Sequence, residues 1–82
     1  MIFLALTRNG LDELIALRKK SDIAIWCGSN VLSNAEYAAL SGMNISRFNY
    51  PLKSPGDEAF QGALETMADH HGNEKIWVEN IN

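Results

Sequence analysis

Apolar positions follow two rhythms along this chain, short unbroken runs and stripes at helical spacing, and the two alternate from one end to the other. Ile2 to Thr7 is a continuous apolar run, which suits a strand covered on both faces. Asn9-Gly10 breaks it. Leu11, Leu14, Ile15 and Leu17 then recur at helical spacing, with Asp12 and Glu13 read as the first turn and Arg18, Lys19 and Lys20 as the last. Charges in that order complement a helix dipole, so the spacing predicts a helix from about Gly10 to Lys20, capped by Asn9. Ile23 to Cys27 is a second buried strand, closed by Gly28.

Ser33-Asn-Ala-Glu36 has the form of a capping box and opens a short helix ending near Ser41, with Gly42 beyond it. Ile45 to Tyr50 is a third strand. Its polar residues Ser46, Arg47 and Asn49 put it at a sheet edge, and Pro51 ends it. Ser54-Pro55 reads as a cap followed by proline at the first helical position. The longest helix runs from there to about His71, with Phe60, Ala63, Leu64, Met67 and Ala68 as its buried stripe. Gly72 stops it, and Lys75 to Glu79 is a short last strand.

The resulting β-α-β-α-β-α-β order predicts an α/β fold: a small, mostly parallel four-stranded sheet with about three helices and right-handed crossovers. The two most apolar strands belong at its centre, which favours the spatial order 3-2-1-4. The alternative is a ferredoxin-like α+β plait, in which the short middle helix decorates a loop. An antiparallel last strand is compatible with either.

The chain has 82 residues, 46% of them hydrophobic and 21% charged, and is read as one domain over 1–82. A domain of this size buries only about 60–65% of its unfolded surface, so its core is thin. The net charge of −3 argues against a protein that works by neutralising phosphates, and no nucleic-acid partner is expected. A single cysteine, Cys27, excludes a disulfide framework within the chain and favours a reducing compartment. The opening apolar run is short and has no basic residue before it, and no stretch approaches membrane-spanning length. A cytoplasmic protein without membrane contact is therefore expected. Asn44-Ile45-Ser46 matches a glycosylation pattern that carries no weight without a secretion signal.

Candidate chemistry is sparse. In an open parallel sheet, ligands bind beyond the carboxyl ends of the strands. Three loops are expected to meet there, at Thr7-Arg8-Asn9-Gly10, Cys27-Gly28-Ser29-Asn30 and Pro51-Leu52-Lys53-Ser54. Arg8, Asn9, Ser29, Asn30 and Lys53 are the candidate ligand-binding residues, suited to a small anion or nucleotide. Against this, Asn9, Ser33 and Ser54 are accounted for as caps, and Asp12 and Glu13 would repel a phosphate. Neither G-x-x-x-x-G-K-[ST] nor G-x-G-x-x-G is present. A phosphatase-like loop on Cys27 would need arginine six residues on, where Ser33 stands. Cys27 is read as a small core residue. Asp69-His70-His71 looks like a fragment of a metal site, but helical neighbours do not face each other and no second pair completes a set, so no metal and no cofactor is expected. Trp26 and Tyr37 are read as packing residues. Trp77, on a short edge strand, could be half of a protein interface.

Ile2-Phe-Leu-Ala5, Asp22 before the second strand, Gly28 after it and Glu36 on the next helix loosely resemble the nucleoside deoxyribosyltransferases. Those are parallel α/β enzymes with a glutamate nucleophile. The resemblance spans about half of the chain. It lacks the long segment between the first strand and the aspartate, and the capping box already accounts for Glu36, so the activity is not carried over. The reading favours a non-enzymatic interaction or binding module, with a homodimer as one form. The alternative is a small nucleotide- or anion-binding domain or enzyme with its site at the carboxyl rim.

Overall fold

The computed structural model describes residues 1–18, 23–54, 56–72 and 74–80. The elements run β1 (Ile2–Ala5), α1 (Arg8–Leu17), β2 (Ala24–Cys27), α2 (Asn34–Ala39), β3 (Ile45–Arg47), α3 (Glu58–His71) and β4 (Ile76–Val78). The four strands form one sheet in the order β3-β2-β1-β4, every neighbouring pair parallel. The two central strands are the two unalternating apolar runs, as the pattern predicts. The last strand is parallel too, which excludes the plait.

Period-two alternation divides the core into two layers. Ile2 and Leu4 of β1 and Ala24 and Trp26 of β2 face α3, where they meet Phe60, Ala63 and Met67. Ala5 of β1 and Ile25 and Cys27 of β2 face the other way, onto Leu11 of α1 and Val31 and Leu32 before α2. The short edge strands are covered less well than the central pair, and β4 least of all: Ile76 is half-buried while Trp77 and Val78 are exposed.

The helix ends depart from the sequence expectation in instructive ways. Thr7, not Asn9, caps α1. Its hydroxyl accepts a hydrogen bond from the Gly10 amide at 3.0 Å, and the helix begins two residues earlier than the pattern suggests. Asp12 and Glu13 thereby fall in the second turn, and Arg18 is the C-terminal cap. Lys19, Lys20 and Asp22 lie outside the described residues. The Arg18 guanidinium donates to the carbonyls of Ile23, at 2.5 Å, and Met43, binding the end of α1 to the start of β2 and the turn before β3.

The capping box of α2 is present in both directions, between Ser33 and Glu36. Asp57, not Ser54, caps α3. The Ser54 carbonyl instead accepts from the Asp57 amide at 3.0 Å, closing a turn ahead of the helix, and Pro55 lies outside the described residues. The α3 stripe buries Phe60, Ala63 and Met67, leaves Leu64 half-buried and exposes Ala68, so it is narrower than predicted. Gly72 ends the helix with φ of 63°, in the left-handed region that favours glycine. Among the described residues no helix is long and apolar enough to cross a membrane.

Candidate functional site

The three carboxyl-end loops do meet, and Asn30 is the stitch. Its amide nitrogen donates to the carbonyls of Leu52, at 3.3 Å, and Leu6, at 3.5 Å, while its oxygen accepts from the Leu52 amide at 3.0 Å. The Ser29 amide donates to the Tyr50 carbonyl at 3.0 Å. The approach is tight enough to require glycine at position 28, where a β-carbon would lie 2.5 Å from the Asn30 oxygen and 2.7 Å from the Leu52 nitrogen.

At the β1–α1 turn the converging donors are already engaged. The backbone amides of Leu6 and Thr7, at the β1–α1 turn, both donate to one Glu79 carboxylate oxygen, at 2.6 and 2.8 Å. The other oxygen of Glu79 accepts from the Thr7 hydroxyl at 2.5 Å. This is where an anion would be held in a parallel α/β sheet, at amides pointing out of the turn into a helix, and the chain's own carboxylate fills it. Gly10 makes room: a β-carbon there would lie 2.2 Å from the Glu79 carboxylate.

Of the two candidate cations, Arg8 is engaged. Its guanidinium pairs with Asp12 at 3.0 Å and with Glu36, joining α1 to α2 and holding the guanidinium above its ordinary pKa. Glu36 is pushed down to about 2 by the Ser33 amide, the Arg8 guanidinium and the Ser33 hydroxyl, in that order. Lys53 is exposed and makes no ion pair or side-chain hydrogen bond among the described residues. Asn9 is exposed on the first turn of α1.

Cys27 and the histidines are separated by the sheet itself. Adjacent strand residues point to opposite faces, so Cys27 is buried in the α1–α2 layer while Trp26 turns to the α3 layer. Burial pushes the Cys27 thiol up to about 11, a change that Arg47 only partly offsets. The thiolate that a nucleophile needs is thereby suppressed. On the far face the Trp26 indole N–H donates to His71 Nε2 at 3.0 Å, and His71 Nδ1 lies 3.4 Å from Glu74. His70 Nδ1 lies 2.9 Å from the Thr66 carbonyl. His71 therefore secures the end of α3 to the sheet, and the His70 ring lies edge-on to the same Trp26 ring with centroids 5.4 Å apart. Among the described residues, no group of three or more His, Cys, Asp or Glu side chains is arranged to hold a metal ion.

A further feature is a groove of about 240 Å³ between α1 and β4, besides a more polar hollow of about 270 Å³ beside Tyr37, Ser41 and Ile45 at the other edge. Phe3, Leu14, Leu17 and Trp77 form the apolar walls of the groove, and Glu13 and Glu79 supply two carboxylates. Leu17 is 76% exposed and Trp77 52%, which makes this the largest break in the pattern of apolar burial among the described residues. A second apolar hollow continues past Leu17 along Phe3, Leu14 and Ile23.

Sequence reasoning singled out Trp77 but missed the groove around it and the role of Glu79. Glu79 stands 72 residues from Thr7, and only the adjacency of β4 to β1 brings them together. A carboxylate just past a strand expected beside the first one was the available signal. In the resemblance to the deoxyribosyltransferases, Glu36 would be the catalytic carboxylate. Here it is held by Ser33 and Arg8, and Asp22 lies outside the described residues. Compared with known proteins, the chain matches no family model, no curated protein and no solved structure.

Proposed function

We propose that this chain is a non-enzymatic protein-interaction module whose working surface is the groove between α1 and β4. The observation that carries the reading is Trp77, a large side chain half exposed on an edge strand beside Leu17. Tryptophan is enriched at interfaces because it supplies a large rigid contact with few rotatable bonds. An exposed apolar strip costs a thin-core domain solubility, and a partner that covers it removes that cost.

A second reading, a small anionic ligand at the carboxyl rim, draws support from the meeting of three loops at Asn30 and from the exposed Lys53. It requires the ligand to compete with Glu79 for the Leu6 and Thr7 amides and with Glu36 for Arg8.

One pair of measurements separates them. A photo-crosslinking residue is placed at Leu17 in the groove or at Lys53 on the rim, and the protein is irradiated in cells of its source. Specific protein adducts are expected from Leu17, lost when Leu14→Asp is added, and absent from Lys53. Beside this, amide signals are followed during titration with inorganic phosphate and a nucleotide. Saturable shifts across residues 7–10, 28–30 and 51–54, removed by replacing Arg8 and Lys53 with alanine, would decide for the rim instead.

A further inference from the structure

We infer that the occupant of the groove is a second copy of this chain, joined through β4 in antiparallel register to give a continuous eight-stranded sheet. The inference rests on the proposed interaction role of the groove and names its partner.

The backbone of β4 shows which groups await pairing. Toward β1, the Lys75 carbonyl accepts from the Ile2 amide and the Glu79 amide donates to the Leu4 carbonyl, both at 2.9 Å. With Ile2 opposite Ile76 and Leu4 opposite Val78, the N–H and C=O groups of Ile76 and Val78 point away from the sheet. That outward row is short, and only one antiparallel register centres it on a two-fold axis through Trp77. In that register, Ile76 exchanges both hydrogen bonds with the partner's Val78, and Trp77 faces the partner's Trp77. The two tryptophans form a non-hydrogen-bonded pair, the closer kind, with Cα atoms about 4.5 Å apart. Cross-strand aromatic pairs of this kind are among the favourable ones.

The charges fit the same register. Alternation places Lys75, Trp77 and Glu79 on one face, the face of α1 and the groove. Among the described residues that line it, the groove carries two carboxylates, Glu13 and Glu79, and no cation. Antiparallel pairing about Trp77 sets the partner's Lys75 opposite Glu79, at the acidic end of the groove, and does so twice by symmetry. A parallel or shifted pairing would lose this match. Isologous two-fold contacts are also the commonest in homo-oligomers, because one self-complementary patch suffices.

Sedimentation of the full chain tests the inference, over about 5 µM to 1 mM, for the parent and for Trp77→Arg and Lys75→Glu. The parent is expected to approach twice the monomer mass as concentration rises. Trp77→Arg should remain monomeric, and Lys75→Glu should need roughly tenfold more protein for the same dimer fraction. Circular dichroism checks that each variant is folded. If Trp77→Arg fails to fold, Trp77→Cys decides. Oxidised glutathione should link it into a disulfide dimer, because the expected Cα separation lies in the disulfide range of about 4.4–6.8 Å. Ser41→Cys, on the α2 side, should not link. Cys27 is buried and does not compete. A parent that stays monomeric at 1 mM overturns self-pairing but leaves the Leu17 crosslinking result to decide the interaction role. A dimer indifferent to both charge changes, with no Trp77→Cys link, places the interface elsewhere and overturns the inference. Absence of Leu17 adducts to any protein, this chain included, removes the reading beneath it.

Discussion

The carboxyl rim of the sheet and the α1–β4 edge are both places where a small parallel α/β domain could meet a ligand, and they have opposite characters. At the rim, polar groups are numerous, and apart from the exposed Lys53 the main ones are paired with one another. Glu79 holds the Leu6 and Thr7 amides, Asn30 holds both backbone groups of Leu52, and Glu36 holds Arg8. At the edge, apolar groups are few and unpaired, with Trp77 and Leu17 open to solvent. The difference is one of satisfaction rather than composition. A loop cluster rich in hydroxyls, amides and cations resembles a binding site in sequence, yet when its groups satisfy each other it acts as a clasp. A single tryptophan on a three-residue strand is a smaller sequence signal, and it is left half open to solvent.

The largest expected effect sets the scale for the rest. Met67 is fully buried on the α3 stripe beside Ala63, in the core layer that also holds Leu4. Met67→Ala should cost roughly 2–4 kcal/mol. A domain of this size has on the order of 4–12 kcal/mol in all. Denaturant unfolding would show this as a large fall in midpoint at unchanged slope. A fall of less than a few tenths molar would mean that the α3 layer is not the packed one.

The comparison itself is sharpened by one change on each side. Glu79→Ala strands two amides and a hydroxyl at the β1–α1 turn, and should cost about 2–3 kcal/mol because charge-assisted bonds are lost and partly buried donors remain. Glu79→Gln, which keeps a carbonyl oxygen for the two amides, should recover much of it. Trp77→Ser at the edge should cost under about 1 kcal/mol at low protein concentration, since half of the side chain is already in water. Equal losses at the two positions would break the distinction between a clasp and an open surface. So would a larger loss at Trp77 in dilute protein.

How much of this was legible in the sequence follows the same division. The strand order could be read because Ile2-Phe-Leu-Ala5 and Ala24-Ile-Trp-Cys27 are apolar on both faces, which only central strands of a covered sheet require. The α2 start could be read because Ser33 and Glu36 are three residues apart and need no outside partner. The starts of α1 and α3 were misplaced by two or three residues. Several capping residues were available in each stretch, and the choice of Thr7 and Asp57 over Asn9 and Ser54 is made by the turn geometry. The state of the rim was not legible at all. Arg8 meets a carboxylate 28 positions away and Thr7 one 72 positions away, and only the assembled sheet sets those pairs.

The smallest expected effect concerns pH and tests whether the rim pairing operates in solution. Glu36 has its carboxyl held down to about 2 in the folded protein by Ser33 and Arg8. In the unfolded chain these partners are gone and the carboxyl returns toward its ordinary value of about 4.3. A carboxylate with a depressed folded pKa adds stability above its unfolded pKa, and that stability is lost as pH falls toward the folded value. Between about pH 4.5 and 2 the parent should therefore lose stability faster than Glu36→Gln, whose side chain does not titrate. Glu74, also lowered by its bond to the amino terminus, adds to the slope in both proteins and cancels in the comparison. Glu36 is exposed and its pairs are screened, so the difference should shrink in high salt. Paired urea melts at pH 6.5, 4 and 2.5, at low and high salt, measure it. If the variant and the parent follow parallel lines down to pH 2.5 at low salt, Arg8 is not held by Glu36 in solution. The cation then keeps only its exposed pair with Asp12, and the anion reading regains its strongest residue.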